Sequence, residues 1–120
     1  PIYLVTVGPD APAERVAALF RRHRFTSIPV AGPDGRYLGM IFQIHMIATD
    51  ARPAGPAAAL MRADMPTARA DTPLGDLLTL MAEGDVDAVP VLSGPSLVGG
   101  VTRTDLISAF ARHDPRGPGG

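Results

Sequence analysis

The sequence predicts an α+β fold: two β-α-β-β-α units packed with pseudo-two-fold symmetry, as small mixed sheets flanked by helices. Three observations predict it. Asp10-Ala11-Pro12 and Ile28-Pro29-Val30 recur as Asp71-Thr72-Pro73 and Val89-Pro90-Val91, both 61 residues later, and Gly39 recurs as Gly99, 60 residues later. A period of this length marks two copies of one supersecondary unit packed together, with any ligand site between the copies. Each copy also alternates strand-like and helix-like apolar spacing in the same order. Finally, 120 residues make one domain-sized unit, so the two halves are expected to share a core.

In the first copy, residues 3–7 are β-prone, and Asp10 is placed to cap a helix whose first turn accepts Pro12. Val16, Leu19, Phe20 and His23 follow at helical spacing. After Phe25-Thr26-Ser27, Ile28-Pro29-Val30 opens a strand, Gly32-Pro33-Asp34-Gly35 makes a turn, and residues 37–42 return as a hairpin. A helix over 43–49 closes the copy. Residues 50–56, rich in Pro, Ala and Gly, read as a connector, and 57–63 can form a short helical turn. The second copy repeats the order. It has a strand over 67–70, Asp71 as cap, a buried stripe of Leu74, Leu77, Leu78 and Met81, a hairpin of 89–92 and 97–101 around Ser93-Gly94-Pro95, and a helix over 104–112. The expected division is 1–49 for the first repeat, 50–63 for a linker with a short helix, 64–112 for the second repeat, and a flexible tail over 113–120.

Composition narrows the function classes. With 11 basic against 12 acidic residues and a formal charge of -1, no global field holds nucleic acid or an anionic membrane. The absence of cysteine removes disulfides, thiolate nucleophiles and cysteine-based zinc sites, and fits a reducing compartment. No apolar stretch approaches the roughly 20 residues that span a bilayer, and the start Pro1-Ile2-Tyr3-Leu4-Val5 reads as a cut from a longer protein rather than a signal peptide. There is no nucleophile elbow, phosphate loop, zinc-protease motif or carboxylate pair placed for acid-base work, so an enzyme is not expected.

The order Asp-x-Pro, helix, apolar-Pro-Val, hairpin turn, Gly-apolar-apolar-Thr-x-x-Asp in the second copy resembles the CBS domain, and the pair resembles a tandem CBS (Bateman) module over roughly residues 3–111. The stretch Val101-Thr102-Arg103-Thr104-Asp105-Leu106-Ile107 is also similar, more loosely, to the CBS tails of HPP-type bacterial membrane proteins. The resemblance implies a regulatory sensor that binds an adenosine-containing ligand (AMP, ADP or ATP, sometimes S-adenosylmethionine) between the repeats. It implies too that the module pairs into a homodimer and controls a fused or partner domain lying outside this sequence. A cytoplasmic setting follows, or the cytosolic part of a membrane protein with no membrane insertion of this stretch. The alternative is a ligand-free dimerisation module of a larger protein.

Carried over position by position, the resemblance assigns ribose and phosphate contacts to Thr102 and Asp105, and an adenine slot to Val5, Phe25 and Thr26; Arg103, between Thr102 and Asp105, is a phosphate partner if it points inward. The chemistry is consistent. A helix N-terminus offers free N–H groups to phosphate, and a carboxylate accepts both ribose hydroxyls. Threonine three residues before an acid is equally a capping pattern, and Val5 and Phe25 are equally core residues; both readings stand at this point. At the matching positions of the first copy stand Phe42 and His45, and the matching slot would be Pro66, Val86 and Asp87. Hydroxyl and carboxylate are gone there, and Asp87 adds a negative charge with no compensating donor. This second, degraded site is expected to be empty or to hold something other than an ordinary nucleotide, with His45 able to meet a phosphate only when protonated. The run Arg21-Arg22-His23-Arg24 reads as a solvated helix end. His23, His45 and His113 lack metal-binding spacing, Asp85-Val86-Asp87 lacks the rest of a calcium loop, and the five methionines read as core or interface; no metal is expected.

Overall fold

The middle residue of each central strand is a proline, Pro29 in one copy and Pro90 in the other, and neither can donate to a ladder. The computed structural model, which describes residues 5–47 and 54–112, shows what this dictates. Strand β1 (Ser27–Ala31) pairs antiparallel with β2 (Tyr37–Phe42), and Pro29 lies opposite Met40. An antiparallel ladder alternates pairs that face each other with pairs that turn their N–H and C=O outward. Pro29 and Met40 are an outward pair. Met40 N–H donates to the Arg62 carbonyl at 2.9 Å and the Met40 carbonyl accepts from Arg62 N–H at 2.8 Å, while the Pro29 carbonyl accepts from Val7 N–H at 3.1 Å. The first strand expected over 3–7 is reduced, within the described residues, to a parallel bridge of Val7 to Val30; Tyr3 and Leu4 lie outside them.

Helix α1 (Ala13–Arg22) covers this sheet with Val16 and Phe20, and α2 (Gln43–Ile47) follows β2 directly. The connector folds back onto the first copy through α3 (Ala57–Leu60), where Ala57 N–H donates to the Ala11 carbonyl at 2.7 Å. The second copy comprises β3 (Ala68–Arg69), α4 (Leu74–Gly84), β4 (Ala88–Ser93), β5 (Ser96–Thr102) and α5 (Arg103–Arg112), with strand order β3-β4-β5. Pro90 lies opposite Gly100 as Pro29 lies opposite Met40. The α+β architecture of two matched units is therefore the one expected from the repeat.

The units meet at their hairpin tips. Tyr37 N–H donates to the Pro95 carbonyl at 2.9 Å, Leu97 N–H donates to the Gly35 carbonyl at 3.0 Å, and Arg36 bridges Ser96. These partners are related by the repeat's own 60-residue step, so the pseudo-two-fold axis passes between Arg36 and Ser96. Gly35 at φ 84° and Gly94 at φ 59° supply the left-handed backbone that each tip requires.

Several expectations are corrected. Neither Asp10 nor Asp71 caps a helix: α1 and α4 start later, with Pro12 and Pro73 in extended conformation at the caps and no side-chain cap bond. Glu14 and Asp76 in the first turns complement the helix dipoles instead. Thr72, not Asp71, closes its turn by accepting Arg69 N–H at 2.8 Å. His23 falls just beyond α1, and Leu78 is 37% exposed while Leu77 and Met81 are buried. The shared core resolves into two clusters, one around Val16, Ile28, Val30 and Ile41 and one around Leu77, Met81, Val89 and Leu106. Each helix stripe closes on its own sheet, and Phe42 from the first unit packs against the second cluster. Burying an isoleucine such as Ile28 or Ile41 contributes roughly 1.5–3 kcal/mol.

Gly39 and Gly99, equivalent in the repeat, have different surroundings. A Cβ on Gly39 would lie 2.8 Å from both the Arg62 carbonyl oxygen and Met61 Sδ, whereas one on Gly99 meets nothing within 4 Å. Gly39→Ala is expected to lose about 1–3 kcal/mol in urea unfolding, and Gly99→Ala no more than about 0.5 kcal/mol; equal losses would refute the close approach. The Tyr37 hydroxyl is buried without a hydrogen-bond partner, and burial pushes its pKa from 10.0 up to about 12. The unfolded chain therefore releases this proton first, and stability falls as pH rises from 10 towards 12. Tyr37→Phe is expected to leave neutral-pH stability unchanged or raised and to flatten the alkaline loss in pH-dependent melting; an undiminished slope would rule this out.

Candidate functional site

Two clefts flank the tip-to-tip axis. The first is a cavity of about 190 Å³ where Val5, Arg24, Phe25 and Thr26 of the first unit face Gly99, Gly100, Val101, Thr102 and Asp105 of the second. Five of the sequence-predicted residues, Val5, Phe25, Thr26, Thr102 and Asp105, thus line one cleft. The β5 strand runs directly into α5 at Thr102, which puts the helix start on the cleft wall. There Thr102 N–H donates to Asp105 Oδ2 at 3.1 Å, and Asp105 N–H donates to Thr102 Oγ1 at 3.1 Å. This is a reciprocal capping box, so the structural reading of the pair is realised. The chemical reading survives it. A carboxylate offers about four lone-pair sites, so Asp105 retains acceptor capacity for a diol, and the Thr102 hydroxyl keeps its proton to donate. Phe25 is half-buried and stacks on His23, ring centroids 4.8 Å apart and 22° from parallel, which fixes the ring at the cleft wall.

Arg103 does not point into this cleft as expected. Its guanidinium donates to the Val86 carbonyl at 3.3 Å and pairs with Asp87 at 3.4 Å, while its backbone N–H donates to the Asp87 carbonyl at 2.8 Å. Successive residues of a helix point about 100° apart, so Arg103 is directed away from the wall that Thr102 lines. Arg24, by contrast, lines the first cleft and was absent from the expected site. The signal available for it was its place between the last residue of the helical stripe, His23, and the Phe25 slot.

The second cleft is larger, about 670 Å³, and collects four of the five residues expected at the degraded site: Phe42, His45, Val86 and Asp87. Pro66 is not on its wall; Met65 is, and Pro66 packs towards Gly84 instead. Phe42 and His45 meet edge-on, centroids 5.7 Å apart, where Thr102 and Asp105 stand in the other copy. Asp87 does have a compensating partner, Arg103, contrary to expectation. At the rim, Arg62 donates to Asp64 at 3.3 Å, and this hydrogen bond together with the arginine's charge holds the Asp64 carboxyl below the usual carboxylate range. Among the described residues no group of three or more His, Cys, Asp or Glu side chains is arranged to hold a metal ion, and no helix is long and apolar enough to cross a membrane.

Comparison with known proteins matches this geometry. The chain overlays CBSX2, solved in complex with AMP, with a TM-score of 0.84 at 21% identity over 91% of this chain and 88% of that one, a likeness of fold. Hypoxic Response Protein I, solved with two coordinated zinc ions, gives 0.79 at 26% identity, covering 91% and 93%. The cytosolic domain of the Mg2+ channel MgtE, solved with ATP, gives 0.76 at 28% identity, covering 88% of this chain and 44% of that one. Among curated proteins, MJ1404 of Methanocaldococcus jannaschii, itself uncharacterized, is 26% identical over 125 residues, 90% of this chain and 30% of that protein's length. The CBS domain family matches twice, over residues 3–48 and 57–112, once for each structural unit, and the chain belongs to that family as a tandem pair of CBS domains.

Proposed function

We propose that this chain is a regulatory sensor module that binds an adenine nucleotide in the first cleft and controls a fused or partner domain. The observation that carries the reading is the convergence of Thr102 and Asp105 from one unit with Val5, Phe25 and Thr26 from the other. Adenine enters the slot against Phe25, the ribose hydroxyls donate to Asp105, and phosphate rests at the start of α5 beside the Thr102 hydroxyl. AMP in CBSX2 and ATP in the MgtE cytosolic domain support an adenosine ligand for a pair of this fold. Such a ligand acts by binding one relative placement of the two units better than another, since equal affinity shifts nothing.

A second reading, a dimerisation module that needs no ligand, draws on Ile44 and Ile107, which are 66% and 61% exposed on α2 and α5. Homodimerisation is compatible with both. Light scattering after size exclusion separates them: a dimer indifferent to AMP, ADP and ATP favours the second.

Calorimetric titration with AMP, ADP and ATP is expected to show binding of at least one; a folded protein giving no heat at millimolar nucleotide would sink the sensor reading. Asp105→Ala should weaken that binding about tenfold to a hundredfold, because a hydrogen bond to a charged group contributes about 1.5–3 kcal/mol. Asp87→Ala, in the other cleft, should leave it within about twofold. The reverse ranking would place the ribose in the second cleft.

A further inference from the structure

We infer that Arg24 sets which adenosine ligand the first cleft accepts and selects a monophosphate over a triphosphate, an inference that rests on the nucleotide reading above. Arg24 and Asp105 are the only charged side chains among the described residues lining that cleft. Arg103, the neighbouring cation on α5, is committed to Val86 and Asp87 on the far side. A phosphate seated at the helix start therefore meets one guanidinium, one hydroxyl and a helix N-terminus carrying roughly half a positive charge. It also faces one carboxylate. That supply suits the charge of about −1.5 to −2 on a monophosphate. Each further phosphate brings charge with no further cation among the cleft's described lining residues to meet it.

The backbone explains why Arg24 is available. Helix α1 stops at Arg22, His23 turns the chain in an extended conformation at φ −121°, and its ring stacks on Phe25. The residue between the stacked pair is thereby held on the cleft rim rather than in the helix-end charge cluster. At the matching position of the second unit stands Asp85, which lines the second cleft. One cleft presents a guanidinium where the other presents a carboxylate, and the arginines on the second cleft's wall, Arg62 and Arg103, are paired with Asp64 and Asp87.

Titration calorimetry with adenosine, AMP and ATP tests this on the wild-type chain, Arg24→Ala and Arg24→Lys. AMP is expected to bind about tenfold tighter than adenosine and at least as tightly as ATP, the tenfold being the low end for a hydrogen bond to a charged group at an exposed residue. In Arg24→Ala the AMP-to-adenosine ratio should fall to within about twofold, and Arg24→Lys should keep most of it. The preference for AMP over adenosine should also shrink with added salt. A ratio unchanged in Arg24→Ala, or ATP binding tenfold tighter than AMP, overturns the assignment while leaving the nucleotide site standing. Absence of binding by adenosine, AMP and ATP alike overturns the nucleotide reading itself and this inference with it. Arg24 is exposed, so both variants are expected to fold, as an unchanged melting temperature would show.

Discussion

Two backbone hydrogen bonds, exchanged between the hairpin tips, hold the arrangement on which both clefts depend. Tyr37 donates to Pro95 and Leu97 donates to Gly35, with Arg36 against Ser96 on the axis. Because only main-chain atoms are used, side chains elsewhere are free to diverge without disturbing the dyad. Symmetry then supplies two clefts of equivalent backbone, one on each side. Their chemistry is decided entirely by which side chains stand at matched positions, and that is where the two copies part.

The divergence is a trade between recognition and packing. In the first cleft Thr102 and Asp105 satisfy each other's backbone across a capping box, which holds both polar groups in place before any ligand arrives. Preorganisation of this kind removes part of the ordering cost that binding otherwise incurs. In the second cleft the same two positions hold Phe42, packed on the second core cluster, and His45, edge-on to it. Apolar burial replaces hydrogen-bonding capacity there. The glycines show the same principle: Gly39 is required by the passing Met61-Arg62 segment, whereas Gly99 keeps open the wall of the first cleft.

The repeat, the hairpins and most helices are legible in the sequence because each is a local pattern. The Val5, Phe25, Thr26, Thr102 and Asp105 positions are reached through the resemblance to the CBS domain, and the fold brings them to one cleft. What escapes is set by geometry that side-chain identity does not encode. Asp10 and Asp71 look like caps, yet the prolines two residues later take the cap positions, and a proline offers no side-chain acceptor. Arg103 sits beside Thr102 in the chain but a third of a helical turn away in direction. Arg24 is hidden in a basic run whose other arginines close α1. The tip pairing is invisible because backbone hydrogen bonds leave no composition behind.

The start of α5 belongs to both clefts at once. Thr102 and Asp105 form a wall of the first, while Arg103, between them in sequence, anchors the loop before β4 through its side chain and its backbone N–H. The turn of helix that carries Thr102 and Asp105 is thus also the element that fixes Val86 and Asp87 in the second cleft. Coupling here needs no long pathway, only one rigid turn of helix with a different set of partners on each side. The Arg103–Asp87 pair is long and half-exposed, worth less than about 1 kcal/mol, so it positions the loop without locking it. The backbone bond of Arg103 to the Asp87 carbonyl, at 2.8 Å, is the firmer tie. Any displacement of the helix start would therefore be carried to the second unit's loop through main-chain atoms, whatever side chains that loop carries.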